Sequence, residues 1–397
     1  MSGSRHADVI VIGGGIIGCS TALHLAKMHR SVILLERDQA GVRASGVNFG
    51  GVRQHGRALA EIPLSMRARR IWADLANLIG TDGEFMVTGH LRLARKESDI
   101  AVLQSHFKAV SECGLGLEFL DRSDIDRRFP WLGPDIIAAT HCPTDGQANP
   151  RLVSPAFGMA ARRAGATLVE GAEVIRAVED GGVFTVSTRD GLTYEAPNLV
   201  NAAGAWADTV ADWFGERVTL KPEVPQVMVT EPAPYRYGPV LGVVGGDLYF
   251  RQIPRGNVIF GGGEGRTEPG HNRSRPLPEI ASCTAAEACR IVPGIRNLNV
   301  IRTWTGVDGD TPDGSPVVGP STTTPGLFHG FGFCGHGFQL GPGAGAVLAD
   351  LIVDGKSDTD IHGLGVARFV GGGQGTAMTV AEEAHRTAPA VNDAGSD

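Results

Sequence analysis

The sequence predicts an α/β protein, in which a Rossmann-type βαβ lobe is interleaved with an α+β lobe built on an antiparallel sheet. Three observations predict it. The chain opens with an apolar strand, a glycine-rich loop, a helix and a second strand; helix-and-strand patterning returns after Asn149; and the stretch from Pro222 to Trp304 reads as β. With 397 residues, 42% of them apolar, the chain exceeds one typical domain and can fill a large core.

Val9 to Ile12 is the first strand, Gly13 to Gly18 the glycine loop, Cys19 to Met28 a helix by its apolar spacing, and Ser31 to Leu35 the second strand. A single long helix is expected around Leu64, Met66, Ile71, Trp72, Leu75 and Leu78, with mixed segments following to about Pro143. Leu152 to Ala164 reads as a helix leading into strands at Thr167 to Val178 and Val183 to Thr188, and then into the buried run Leu199 to Ala203. The β region has strands at Gln226 to Thr230, Leu248 to Gln252 and Asn257 to Phe260, with Pro254 to Asn257 as the hairpin turn. A last helix is expected from about Pro342 to Val353, and beyond Gly371 a polar, alanine-rich tail expected to be mobile. No internal repeat is present. The expected division gives residues 1–85, 146–221 and 305–370 to a discontinuous nucleotide-binding domain, 86–145 and 222–304 to a substrate domain, and 371–397 to the tail.

Composition excludes several classes of function. A net charge of −7 with no dense basic run argues against nucleic acid as the main partner. Cys19, Cys113, Cys142, Cys283, Cys289 and Cys334 form no C-x-x-C pair, which argues against a disulfide framework and against a zinc or iron–sulfur site. The polar start, Met1 to Asp8, and a following apolar run too short to span a bilayer give no signal peptide or membrane span, so a cytoplasmic location is expected.

Gly13-Gly14-Gly15-Ile16-Ile17-Gly18 has the G-x-G-x-x-G spacing after a buried strand and at the mouth of a helix, as dinucleotide binding requires. Gly13 permits the turn, Gly15 lets pyrophosphate approach the helix N-terminus, and Gly18 lets the helix pack on the sheet. Glu36, followed by Arg37, ends the second strand where a carboxylate meets an adenosine ribose, and an acid there disfavours a 2′-phosphate. The loop alone does not separate FAD from NAD.

Three further segments accompany it: Ala44-Ser45-Gly46-Val47-Asn48-Phe49-Gly50-Gly51-Val52-Arg53, Val200-Asn201-Ala202-Ala203-Gly204-Ala205-Trp206, and Gly332-Phe333-Cys334-Gly335-His336-Gly337-Phe338-Gln339. With the N-terminal loop they resemble the D-amino-acid oxidase superfamily of flavoproteins, over roughly residues 8 to 355. Within it they are most similar to the branch that holds glycine oxidase, sarcosine oxidase and the β-subunits of opine or hydroxyproline dehydrogenases. The resemblance implies FAD, with Ser45, Gly46 and Phe49 to Val52 along phosphate and flavin, and the Glu173-Val174 backbone at adenine. It also implies Ala202, Ala203, Gly204 and Trp206 near the pyrophosphate, and Gly335, His336, Gly337, Phe338 and Gln339 around the flavin pyrimidine edge. A helix beginning near Pro342 would turn its positive end to reduced flavin. His336 either donates to that edge or is a structural loop histidine. Sarcosine oxidases resembling this chain tether flavin through a cysteine shortly before a T-P-D-G segment; here Gly306 to Gly314 holds none, so the FAD is expected to be non-covalent.

The resemblance implies oxidation of a small amino acid or a secondary-amine amino acid at the carbon beside nitrogen, with oxygen or another electron acceptor. Arg53 is the first candidate for the substrate carboxylate, a salt bridge anchoring its loop being the alternative. Tyr249 and Arg251, two residues apart on a strand, share a face of the substrate lobe, where Tyr249 is either a substrate residue or a plain half-buried strand tyrosine. Related glycine and D-amino-acid oxidases carry an arginine just before T-P-D-G, whereas this chain has Asp308 and Gly309, and the run from Trp304 to Asp313 looks more like the opine and hydroxyproline enzymes. Secondary amines therefore gain over glycine. No lysine lies between Lys221 and Lys356, so slow oxygen use or transfer to a partner subunit is expected, in a homo-oligomer or a hetero-oligomeric dehydrogenase. Two other readings stay open: a 2-hydroxy acid or glycerol-phosphate dehydrogenase using His55, His329 or His336 as base, and a non-catalytic flavoprotein subunit.

Overall fold

A computed structural model describes residues 5–268, 270 and 272–369. The mobile tail expected at 371–397 lies outside the described residues. Strands Thr167–Glu170, Val32–Glu36, Val9–Ile12, Asn198–Asn201 and Leu327–Phe331 run parallel, in that spatial order, and Val317–Pro320 joins the edge antiparallel. Val9–Ile12 is buried along its whole length, as a strand covered on both faces must be. Val9, Val11, Val32 and Leu34 pack under helices Ile16–Lys27, Pro150–Arg163 and Gly337–Asp354. Ile10, Ile12, Ile33 and Leu35 meet Phe184, Val186 and Tyr194 of a four-stranded sheet on the other side.

The second large sheet has eight strands, in the order Val300–Thr305, Pro225–Pro232, Asn257–Glu264, Tyr249–Gln252, Val240–Val243, His90–Ala94, Ala138–Cys142 and Glu118–Leu120. Only the pair Val240–Val243 with His90–Ala94 is parallel. Strand alternation gives this sheet two unlike faces. Leu91, Leu93, Leu241, Phe250 and Phe260 pack on helix Pro278–Ile291, whereas His90, Arg92, Thr140, Tyr249 and Arg251 occupy the opposite face.

Several elements differ from the sequence reading. The first helix begins at Ile16, three residues early, because its opening turn is held by the glycine loop itself. The expected long helix breaks at Asp74 (φ −111°) into Ile62–Ala73 and Leu75–Ile79. Thr167 to Val178 is two strands, Thr167–Glu170 and Val174–Asp180. The region read as β contains helix Pro278–Ile291, whose inward residues Thr284, Ala288 and Ile291 give only a weak apolar stripe.

The last helix starts at Gly337, with Pro342 inside it. Its glycines explain how so poor a helix former is stable there. A Cβ on Gly341 would lie 2.6 Å from Ile16 Cγ2 and one on Gly345 2.5 Å from Ser20 Cβ, so the two helices pack backbone to backbone. The positive end of this helix is therefore at His336–Gly337 rather than near Pro342.

Candidate functional site

The nucleotide end is shaped by steric necessity. Gly13 has φ +104°, and a Cβ there would stand 2.3 Å from the Ala202 carbonyl oxygen; on Gly18 it would stand 1.9 Å from the Gly13 carbonyl oxygen. No side chain fits either position. The Ile16 N–H, at the start of the helix, donates to Ser45 Oγ at 2.9 Å, which brings the second segment against the glycine loop. Buried Glu36 accepts from the Gly14 N–H at 2.6 Å and the Asp38 N–H at 2.8 Å. Burial raises its pKa, against the pull of those two donors. The Ala172 N–H donates to the Glu36 carbonyl oxygen, so Glu173 and Val174 emerge beside it. Arg37 stacks on the Trp206 ring at 3.6 Å and donates to Asn272 Oδ1, while the Trp206 indole donates to the Gly270 carbonyl oxygen. A hairpin of the second lobe is thus clasped over this end.

The other end is built around the loop from Val47 to Val52. Asn48 accepts from the Gly50 N–H and donates to the Ser45 carbonyl oxygen, folding the loop, and Gly51 and Val52 pair with Gln147 and Gly146. Phe49 and Tyr249 have ring centroids 4.7 Å apart. The Tyr249 hydroxyl donates to the Gln226 carbonyl oxygen at 3.1 Å, so its proton is already committed. The Arg251 guanidinium lies 5.4 Å from the Phe49 ring centre and donates Nη1–H to Gln147 Oε1 at 3.1 Å and to the Ala148 carbonyl oxygen at 3.0 Å. Its Nε–H is buried without an acceptor. A Cβ on Gly50 (φ +87°) would come within 2.6 Å of Arg251 Nη2.

His336 caps the last helix, with Nδ1 2.8 Å from Glu61 Oε1; Glu61 Oε2 accepts from the Ala58 N–H at 3.0 Å. Burial and the Arg57 charge hold His336 down to about 4. Burial raises the Glu61 pKa, but its partners outweigh this and hold it down to about 2. A neutral His336 lends Glu61 no positive charge, so the Arg57 guanidinium and the Ala58 N–H keep that carboxylate ionised. His336 then points Nδ1–H at Glu61 and keeps a lone pair on Nε2. Phe338 packs on Trp72, and the Gln339 amide is bonded to Ser65, so both side chains secure the helix. Asp308 accepts from the Gly335 N–H at 2.8 Å. Cβ atoms on Gly204 (φ +58°) and Gly335 (φ +75°) would meet nothing within 4 Å, so both glycines border open space.

Next to Arg53 lies a basic cluster that the sequence reading missed. Arg53 donates to the His55 carbonyl oxygen, and Arg57 donates Nε–H to the Arg53 carbonyl oxygen and leaves Nη1 buried without an acceptor. The buried Arg92 side chain makes no hydrogen bond among the described residues. Its Nη1 lies 3.6 Å, and that of Arg53 3.2 Å, from the place a Gly56 Cβ would take. Burial pushes Arg57 down to about 9 and Arg92 to about 10. His55 Nδ1 faces His90 Nδ1 at 3.1 Å, and Asp145 accepts from the Gln54 and His55 N–H groups. Ligand atoms of His55, His90 and Asp145 lie within 4.8 Å of one another. A cation among three guanidinium groups is electrostatically disfavoured, and burial holds both histidines well below their ordinary pKa. The signal for this cluster was the alternation His90-Leu91-Arg92-Leu93, which marks a strand with one polar face. His329, by contrast, is fully buried in the parallel sheet with Nε2 2.6 Å from Glu216 Oε2, and so is a structural pair.

The sequence pattern of the family described as FAD dependent oxidoreductase matches residues 8–351. A subunit of opine oxidase from Rhizobium meliloti is 26% identical over 91% of this chain and 97% of its own length. Glycine oxidase of Geobacillus kaustophilus is 27% identical over 92% and 97%. Among solved structures, L-proline dehydrogenase from P. horikoshii superposes with a TM-score of 0.85 at 27% identity, covering 92% of this chain and 98% of that one. The G. kaustophilus glycine oxidase structure gives 0.85 at 25% identity, covering 93% and 100%.

Proposed function

The chain belongs to the FAD dependent oxidoreductase family, and from that premise we propose that it oxidises the CH–NH bond of a small amino acid or N-substituted amino acid, preferring secondary amines. The residues fit the cofactor. Gly13 and Gly18 leave no room for side chains, Gly204 and Gly335 open onto free space, and Ser45 stands at the helix start where a pyrophosphate is neutralised. Glu36 would hold the ribose, Glu173 and Val174 the adenine, and the first turn of the last helix from Gly337 the pyrimidine edge, since the Gly335 N–H is given to Asp308 and the His336 N–H to the Phe333 carbonyl oxygen. The absence of a cysteine from Gly306 to Gly314 supports non-covalent binding.

FAD, when bound, supplies the hydride acceptor. The protein's own work is positioning. Arg53 takes the substrate carboxylate, with Arg92 and Arg57 adding to the positive potential around it. Phe49 and Tyr249 form an apolar wall that excludes water, and Tyr249 acts by its ring, since its hydroxyl is bonded to Gln226. As the α-carbon gives up hydrogen with its electron pair, the nitrogen lone pair forms the C=N bond; water then yields a carbonyl compound and an amine. No protein base is needed for that step if the amine binds unprotonated.

The observation that carries this reading is Arg53, placed two residues beyond the Gly50-Gly51 turn, whose guanidinium makes no ion pair at contact distance among the described residues, with Asp145 and Glu61 acting on it from further off. The hydroxy acid reading has one supporting observation, the Nε2 lone pair of neutral His336. Anaerobic mixing of the yellow protein with amines and hydroxy acids separates the two. Bleaching by N-substituted amino acids supports amine oxidation, and bleaching by hydroxy acids alone refutes it. Repeating the mixing in air distinguishes oxygen from another acceptor, including a partner subunit.

A further inference from the structure

Strand pairing puts Arg92, Gly242, Tyr249 and Gly261 in one row on the polar face of the eight-stranded sheet, since each is the partner of the next on four adjacent strands. Tyr249 takes up the space over Gly261, where a Cβ would lie 2.5 Å from its hydroxyl, and that hydroxyl is bonded away to Gln226. On the other side of Tyr249 the row is vacant. Gly242 is partly exposed between buried Leu241 and Val243, and a Cβ on it would meet only the His90 ring, at 3.4 Å, among the described residues. With neighbouring strands about 4.8 Å apart, the Arg92 and Tyr249 backbones stand roughly 10 Å apart across this gap. Arg92 itself is 5% exposed, and its guanidinium makes no hydrogen bond or ion pair among the described residues. Asp99, the acid that acts on it from further off, is committed to the Arg95 and Lys96 N–H groups. Arg53 meets Arg92 from the flavin loop: their Nη1 atoms lie 3.2 and 3.6 Å from one point, the place of a Gly56 Cβ, and so are at most about 7 Å apart. A buried guanidinium without an acceptor is costly, and its planar fork matches a carboxylate.

We propose that Arg92 is a second substrate-binding residue: Arg53 and Arg92 hold one carboxylate between them, and Gly242 is the floor of the slot that takes the adjoining carbon skeleton. This rests on the reading of a carboxylate-bearing substrate above and adds the group that completes its anchor. A carboxylate that accepts a bond of about 2.8 Å at each of its two oxygens spans a gap of this size. The clamp draws one guanidinium from each lobe, Arg53 from the flavin loop and Arg92 from the sheet, so the bound acid also ties the lobes together. From there the skeleton runs over Gly242 toward the wall made by Tyr249 and Phe49, whose rings are in contact. The glycine matters because any larger side chain at that point of the row would occupy the slot.

The test uses methoxyacetate and methoxyacetamide, which share a skeleton and differ in charge, each titrated into the yellow holoenzyme and followed by perturbation of the flavin absorbance. Methoxyacetate is expected to bind more tightly by about tenfold or more, and Arg92→Gln to weaken it by about tenfold or more while moving the amide by less than about threefold. Arg92→Lys, which keeps the charge without the planar fork, is expected to fall between the two. A methoxyacetate affinity no greater than that of the amide in the unmodified protein overturns the clamp, as does an affinity unchanged by Arg92→Gln or an equal loss for both probes. Should Arg92→Gln fail to fold, Gly242→Val replaces it: filling the slot is expected to weaken methoxyacetate by about tenfold or more at full flavin content, and an unchanged affinity counts against the proposal. These outcomes are distinguishable from failure of the functional reading. Hydroxy acids carry the same carboxylate, so bleaching by them alone removes amine oxidation and leaves the clamp standing, whereas unchanged methoxyacetate binding in Arg92→Gln removes the clamp alone.

Discussion

Replacing Glu61 by Gln isolates the charge that supports His336. The Glu61 carboxylate is buried and accepts from His336 Nδ1 at 2.8 Å and from the Ala58 N–H at 3.0 Å. A glutamine amide has one acceptor oxygen, which can serve the Ala58 N–H, while its NH2 meets Nδ1 only if neutral His336 moves its proton to Nε2. The enforced tautomer and the loss of the negative charge beside Arg57 together cost about 2 kcal/mol. A loss of about thirtyfold in the unfolding equilibrium is therefore expected at pH 7. The pH dependence has a definite sign. Glu61 is held at about 2 in the fold, below its ordinary 4.5, so its contribution is complete above pH 4.5 and is lost only as pH falls toward 2. The deficit should be the same at pH 7 and pH 5. Urea unfolding at the two pH values, followed by tryptophan fluorescence and flavin release, measures it. A deficit below about 0.5 kcal/mol, or one that halves between pH 7 and 5, would refute the picture of an ionised Glu61 beneath a neutral His336.

Gly13→Ala is expected to yield a colourless protein, because the added methyl would stand 2.3 Å from the Ala202 carbonyl oxygen at a φ of +104°; a yellow variant with full flavin content by absorbance would show that the loop yields. Arg53→Met should raise KM for N-substituted amino acids by about 10- to 100-fold, the worth of a charged hydrogen-bonded pair, with a smaller effect on kcat. An unchanged KM would make Arg53 a loop anchor. Burial, with neighbouring cations, holds His24, His106 and His336 down to about 4 from an ordinary 6.5. The unfolded chain therefore takes up protons first as pH falls, and stability present above pH 6.5 is lost progressively toward pH 4. Thermal melts by circular dichroism should show Tm dropping steeply across that window, and a flat profile would contradict the burial of neutral histidines.

What could be read from the chain depended on how far chemistry acts locally. The glycine loop was legible because sterics alone dictate Gly13 and Gly18, and Glu36 because it ends a strand one turn of the βαβ unit later. The start of the last helix was not legible, because Gly337, Gly341, Gly343, Gly345 and Pro342 are poor helix formers that only contact with Ile16 and Ser20 makes stable. Helix Pro278–Ile291 hid behind small inward residues. The basic cluster was out of reach for another reason. Arg53 and Arg57 lie on one loop and Arg92 on a strand of the other lobe, and only the packing of the two lobes brings them together. The placement of Tyr249 and Arg251 on one sheet face followed from strand periodicity, whereas the use of the Tyr249 proton on Gln226 required the neighbouring strand.

The order of the parallel sheet also governs when the nucleotide floor is complete. Ile12, Asn201 and His329 lie abreast on adjacent strands, and the helix that closes the ring end runs to Asp354. In a nascent chain the glycine loop is made well before Asn201 and His329, so it lacks these neighbours until synthesis has passed residue 331. Flavin capture therefore waits on distant sequence, and a fragment truncated before residue 331 would retain the fingerprint without the means to hold a cofactor.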